Sequence, residues 1–281
     1  MVPLSTYGRG ACRQGGPSHA WLFLPNEKAI NILPQRGGGL PNAYGIAEFC
    51  CVRREVLSAM ISKRFARRLV THHLPIGCIS IGAAVLLYVT RPYPDVITRL
   101  SFATAYPALV LIGLTLVIGP WRMLRRLPVQ SSMDLRRDFG IWAGMFGVFH
   151  ALVGNFVHLR GRPWLYYIYE NWQEKHVQPF RYDAFGIANE TGLIAALILL
   201  ALLATSNDAA LRKLGTPGWK RLQRWVYVCF ALTAVHTLIY LMGIKSVNVP
   251  WLVVATAAIL ITVAFQWIGY ARRRRATALG T

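Results

Sequence analysis

At 281 residues the chain has the length of one or two ordinary soluble domains, but 54% hydrophobic residues against 15% charged, with a mean hydropathy of +0.38, exclude that class. The formal net charge of +20 invites a nucleic-acid partner. Its Lys and Arg sit between apolar segments and at the chain ends, a placement that argues against such a surface.

Residues 1–58 are rich in Gly, Pro and isolated charges, include three consecutive glycines at 37–39 and show no helical period. They lack an apolar run behind a basic start, so no signal peptide is expected. Two readings stand: a disordered cytoplasmic tail, or an extension foreign to the natural protein, with translation beginning at Met60. MISKRFARRLVTHHLPIG, from Met60, reads as a short basic stretch followed by a span. The expected division is an extension over 1–58 and a membrane domain over 59–281.

Six apolar stretches follow, near residues 74–91, 102–120, 139–158, 184–205, 222–243 and 249–270. Each approaches the ~20 residues that span a bilayer core. None alternates strictly, so they read as helices. Pro75, Pro107 and Pro250 fall at or within span entries, where membrane helices tolerate them. TSND at 205–208 closes the fourth span with turn-favouring residues, and GTPGW at 215–219 is a Gly/Pro turn before the fifth.

Alternate loops are basic. Arg53, Arg54, Lys63, Arg64, Arg67 and Arg68 precede the first span. Arg122, Arg125, Arg126, Arg136 and Arg137 lie between the second and third. Arg212, Lys213, Lys220, Arg221 and Arg224 lie between the fourth and fifth, and Arg272 to Arg275 close the chain as a stop-transfer anchor. The intervening loops hold only Arg99, with Arg91 at a helix edge, and Lys245. The 159–183 loop is mixed, and Trp164, Tyr166, Tyr167, Tyr169 and Trp172 suit a headgroup interface outside. The positive-inside rule gives an all-α, six-helix transmembrane bundle with both termini in the cytoplasm: an integral, multi-pass membrane protein. Cys12, Cys50, Cys51, Cys78 and Cys229 form no CxxC pair, so neither a disulfide framework nor a zinc site is expected.

His150 and His236 lie deep in the third and fifth stretches. Histidine is costly in a membrane helix and usually has a partner or a function. His150 stands 13 residues after Arg137, and His236 stands 12 after Arg224. At about 1.5 Å per residue both sit roughly 18–20 Å from the basic edge, at matched depth. Two readings follow: axial ligands to one haem iron, or two interhelical hydrogen-bonding histidines. Gly140, Gly144, Gly147 and Gly154 permit close helix approach or make room for a porphyrin. Phe146, Phe149, Trp225, Tyr227 and Phe230 are candidate pocket walls or plain core. His158 is read as an interfacial residue or a neighbour of a haem propionate in preference to an alternate ligand. His72 and His73 are read as residues of the cytoplasmic edge; His176 and His19 are not site candidates. Glu190 beside Asn189 is a proton-transfer or quinone-contact group, or a capped interfacial residue. Gln266 and Asn155 are expected to bond between helices. No nucleophile elbow, P-loop or zinc-protease motif is present, and nothing after residue 271 offers a flavin or nicotinamide domain.

TLVIGPWRMLRR, LRRDFGIWAGMFGVFH and LLATSNDAALRKLGTPGWKRLQRWVYVCFALTAVH resemble the ferric reductase-like transmembrane domain. That family includes ferric reductases, the membrane part of NADPH oxidases, and the haem membrane subunit of the bacterial periplasmic methionine sulfoxide reductase system. The resemblance covers residues 74–270 and is most specific from Thr205 to His236. It implies a haem b protein carrying electrons across a membrane, in bacteria the inner membrane. Many relatives hold two stacked haems, each between histidines of the third and fifth helices. Here His236 has its place, but position 223 is Gln, and the facing end of the third span offers Arg136 and Arg137. Glutamine is a poor iron ligand beside imidazole, and arginine stays protonated. The resemblance therefore implies one haem b, ligated by His150 and His236, with no open iron position and an electron-transfer role. The donor is a quinol or a cytoplasmic flavin protein, and the acceptor is external, a redox enzyme or ferric iron. The chain is then an electron-transfer subunit of an oxidoreductase, with lipid and a redox protein or quinone as partners and no nucleic acid. The rival is a cofactor-free membrane scaffold that kept the bundle. A transporter is weaker, because paired helix interruptions are not evident.

Overall fold

A computed structural model describes residues 65–91, 93–125, 129–159, 161–174, 178–244 and 249–278. The extension over 1–58, Met60, Arg126, Arg160, Lys175, His176 and Lys245 lie outside the described residues.

Helix α1 (Phe65–Thr90) begins earlier than the apolar run, because the basic stretch before it is already helical. A π-turn, Leu69–His73, widens it and ends two residues before Pro75, and the Leu74 amide bonds the Leu69 carbonyl. Proline has no N–H to return to the preceding turn, and the wider turn absorbs the mismatch. Helix α2 (Val96–Leu124) is capped by Asp95, which accepts from the Thr98 amide at 2.9 Å, and carries Pro107 and Pro120 inside it. Helix α3 is Val129–Gly154. After a loop containing the 3-10 turn Pro163–Tyr166, α4 (Ala184–Ala204) is capped by Asp183, α5 is Asp208–Gln223, and α6 (Val226–Ile239) runs on into a π-turn, Tyr240–Ile244. Helix α7 is Val249–Ala278.

Among the described residues the regular elements are all helices, with one isolated bridge, Ile168 to Phe180, pinching the α3–α4 loop. Five stretches are long and apolar enough to cross a membrane: Phe65–Thr90, Val96–Leu124, Ala184–Ala204, Asp208–Gly243 and Val249–Arg275. The expected third span is the departure. Helix α3 has the length, at 26 residues, but Arg136, Arg137 and Asp138 dilute its apolar run. The Thr205–Asp208 turn is as expected, with Asn207 capping α5 through the Ala210 amide at 2.8 Å. The Gly/Pro turn is a kink inside α5 at Gly215, φ +67°.

Helix α2 is the central element. In its most apolar window 56% of residues are buried, against 22% or fewer in the other four. It packs on α1, α3 and α7, while α4 packs on α3 and α6. The core joins Leu109, Ile112 and Leu116 of α2 to Ala143 of α3, Leu199 of α4, Phe230 of α6 and Ala255 of α7. Outward, large apolar side chains such as Ile79, Val89, Leu152 and Trp267 stand exposed, a surface on the scale of a lipid contact. Gln266 bonds between helices as expected, donating to the Leu116 carbonyl at 2.6 Å, whereas Asn155 bonds its own helix and the loop, not another helix.

Candidate functional site

His150 on α3 and His236 on α6 meet in the bundle, ring centres 6.2 Å apart and planes at 75°. Each is turned by a main-chain carbonyl of a neighbouring helix. His150 Nδ1 lies 2.9 Å from the Ser101 carbonyl of α2, and His236 Nδ1 lies 2.7 Å from the Ala188 carbonyl of α4. A carbonyl only accepts, so in both neutral rings Nδ1 carries the proton and Nε2 the lone pair. His236 lies against Gly192, where a Cβ would come within 2.6 Å of Nδ1. No larger residue lets α4 and the ring approach so closely.

Both rings face a cavity of about 430 Å³ bounded by α2, α3, α4, α6 and the start of α7. This volume suits a small molecule or cofactor. Its floor is made by small residues, Gly147, Ala151, Gly154, Gly192 and Ala196, and its aromatic walls by Phe102, Tyr106, Tyr167, Tyr240 and Trp251. Gly147 and Gly154 are among the glycines the sequence singled out. Gly144 instead seats Leu203, and Gly140 faces Thr115. The five expected wall aromatics do not line the cavity. Phe149, Trp225 and Tyr227 point outward, Phe230 is core, and Phe146 packs beside Trp142. A membrane helix is apolar all round, so its sequence does not mark which face turns in.

Behind two of the wall residues, Arg91 lies over the rings of Phe102 and Trp251, 4.8 and 4.1 Å from their centres, and its Nε is buried without a partner. His158 follows α3 and also lines the cavity, with its ring stacked on Tyr240 at 6.4 Å. The Tyr240 hydroxyl donates to Asn189 Oδ1 at 2.8 Å, and Glu190 keeps Oε1 buried and unpartnered. The α3–α4 loop closes this end. Tyr166 is fully buried rather than interfacial, its hydroxyl accepting from the His158 amide at 2.6 Å. Tyr167 donates to Asn155 Oδ1 at 2.7 Å, and burial pushes its phenol up. Arg181, hydrogen-bonded to Asp183, together with the Gly186 amide at 2.7 Å, holds that carboxyl below the usual carboxylate range. Trp164 and Trp172 remain exposed.

Toward the arginine-rich end the residues differ. Gln223 keeps Nε2 buried without a partner, and Arg137 bonds the Ser206 carbonyl and Asp208. Trp142 on α3 packs against Gly77, where a Cβ would lie 2.5 Å from the indole. Sequence reasoning missed Asp138. It is fully buried, ion-paired with Arg68, 2.8 Å from His72 Nδ1 and 3.1 Å from His73 Nε2. His72 and His73 are therefore anchored to α3, not merely edge residues. Among the described residues no three His, Cys, Asp or Glu converge to hold a bare metal ion.

Residues 98–235 match the family model described as ferric reductase like transmembrane component. The chain is 30% identical over 165 residues, 58% of its length and 72% of the relative's, to the protein-methionine-sulfoxide reductase heme-binding subunit MsrQ of Yersinia pseudotuberculosis serotype O:1b (strain IP 31758). The MsrQ of Yersinia pestis (strain Pestoides F) is 30% identical over the same length, 71% of that protein.

Proposed function

The chain belongs to the family of ferric reductase-like transmembrane components, and from that premise we propose that it is the haem b-binding, electron-transferring subunit of a membrane oxidoreductase, with His150 and His236 as the axial ligands. It is an integral, multi-pass membrane protein. The observation that carries the reading is the imidazole pair across a cofactor-sized cavity. Their ring centres stand 6.2 Å apart, a separation at which both imidazoles would hold one metal-centred group. Two imidazoles are an incomplete set for a bare ion, whereas His150 and His236 would suffice to hold a haem, which would supply the remaining ligands itself.

The remaining residues fit the same group. The Ser101 and Ala188 carbonyls hold Nδ1–H, which aims each Nε2 and raises its basicity. Gly192 seats the His236 ring and Gly147 seats Leu199, so these small residues, with Gly154, let the helices that line the cavity approach closely. Arg91, stacked on the wall residues Phe102 and Trp251, is a cation with an unused donor, suited to a carboxylate. Haem bound between two histidines supplies one-electron chemistry without an open coordination position. Aromatic walls and the α3–α4 loop keep water from that chemistry.

The proposed orientation places both termini in the cytoplasm with α3 as a sixth span, in the bacterial inner membrane. Electrons enter from a quinol or a cytoplasmic flavin protein and leave to an external redox partner. Residues 59–281 form the haem domain. The test is haem content. The purified protein should show a dithionite-reduced b-type spectrum, and His150→Ala and His236→Ala should each lose most of the haem, while His158→Ala keeps it. Full haem in both ligand variants refutes the assignment, and a colourless wild type selects the scaffold reading.

A further inference from the structure

A second cavity, of about 560 Å³, lies between α1, α2 and the first half of α3. Thr71, Pro75, Ile79, Ala83 and Leu87 line it from α1 at four-residue spacing, one continuous stripe of about four turns. Leu111 and Leu114 of α2 stand across from that stripe. Ile79, Ala83 and Leu114 are exposed, so the space opens sideways on the apolar surface of the bundle. At one end the stripe changes character. One turn before Thr71 stands Arg67, exposed, and one turn before His72, another lining residue, stands Arg68. Thr71 Oγ1 donates to the Arg67 carbonyl at 2.8 Å, so these two residues stack on one side of the helix. The buried Asp138 carboxylate is taken up by Arg68, His72 and His73. Arg68 still keeps its Nε buried without a partner, and a buried cationic donor left unmade is costly.

We propose that this groove is a binding site for a phospholipid with an anionic headgroup, from the leaflet on the arginine-rich side, with one acyl chain along α1 and the phosphate at Arg67 and Arg68. The inference stands apart from the haem reading and needs no cofactor. A narrow apolar space with a cationic end matches an apolar chain that carries a phosphate at one end. A helix of a second copy or of a partner, about 10–12 Å across with its side chains, is too wide for it. A neutral lipid fills the groove but leaves the guanidiniums unmatched. The lipid also has a place in the packing. Only 17% of the most apolar window of α1 is buried. That helix is fixed to α3 by Gly77 against Trp142 and by the pairs to Asp138. An acyl chain between α1 and α2 supplies apolar contacts that the protein's own side chains leave open there.

The experiment uses the full-length protein in detergent and a phosphatidylglycerol that carries a photoactivatable diazirine in one acyl chain. Label should fall on peptides containing residues 71–87 or 107–114. Unlabelled dioleoylphosphatidylglycerol should compete it away about tenfold better than dioleoylphosphatidylcholine, which has the same chains and no net charge. Equal competition by the two is the result for an ordinary lipid-facing surface and overturns the proposal, as does label confined to other peptides. Oleate competing as well as the phosphatidylglycerol makes a free fatty acid the occupant and overturns the phospholipid. Ala83→Phe fills the groove at an exposed position on its lining and should cut labelling severalfold. Arg67→Gln, which leaves the Asp138 pairs in place, should keep the labelling and erase the preference for phosphatidylglycerol. Unchanged labelling in the first variant, or an undiminished preference in the second, overturns the site. Added phosphatidylglycerol should raise the thermal midpoint of the wild type and not that of Ala83→Phe; an equal rise in both overturns the packing role.

Discussion

A Cβ at position 192 would stand 2.6 Å from His236 Nδ1, so the packing of one imidazole depends on a glycine facing it. Gly192→Val should cut haem per protein severalfold while helix content by circular dichroism stays the same. Asp138→Ala leaves Arg68 with an uncompensated charge. Breaking a buried pair costs about 3–5 kcal/mol, and because Arg68 and both histidines reach solvent, a loss of about 2–3 kcal/mol is expected, read as a lowered thermal midpoint. The two kinds of residue differed in legibility. The depth of His150 and His236 follows from a constant helical rise and can be counted from the sequence. Asp138 cannot be found that way, because it sits among arginines that mark a helix edge and its partner Arg68 is 70 residues away. Gly192 carries no mark in the sequence, because the residue that needs it, His236, lies on another helix.

At the scale of elements, α5 turns at Gly215, where φ is +67° and ψ 163°, a region that only glycine occupies without strain. Gly215→Ala should cost about 1–3 kcal/mol or shift the angle between the two halves of α5, as seen in hydrogen exchange of residues 208–223. The α3–α4 loop depends on Asp183, which caps α4 and bonds Arg181. Its folded carboxyl titrates lower than the unfolded one, so its contribution is present above the unfolded value of about 3.9 and is lost as pH falls through the depressed folded value. Limited proteolysis of this loop should be unchanged from pH 8 to pH 5 and rise only below about pH 4, whereas Asp183→Asn should raise it at neutral pH. The end of α4 is legible in the polar TSND turn, where Asn207 caps α5; the start of α2 is not, because its apolar run begins near 102 while the helix begins at Val96 behind the Asp95 cap. The π-turns at Leu69–His73 and Tyr240–Ile244 carry no comparable mark in composition.

For the whole molecule, orientation and cofactor count are the open quantities. The basic loops predict that a reporter fused after Arg275 reads cytoplasmic and one inserted near Trp172 reads external; the reverse at either point overturns the orientation. One haem b per chain is expected, because the arginine-rich level presents Gln223, Arg137 and Trp142 in place of a second imidazole pair. Haem quantitation against protein should give a ratio near one, and Gln223→His alone should not raise it. A ratio near two would mean that another residue ligates there.

The partners that orient the two imidazoles are the main-chain oxygens of Ser101 and Ala188, and a main-chain oxygen belongs to no particular amino acid. Ser101→Ala and Ala188→Ser replace the side chains and leave both oxygens where the helices put them. The aim of each ring is therefore insulated from sequence drift at the positions that supply it. The hydrogen bond to each ring does not require any particular side chain at position 101 or 188.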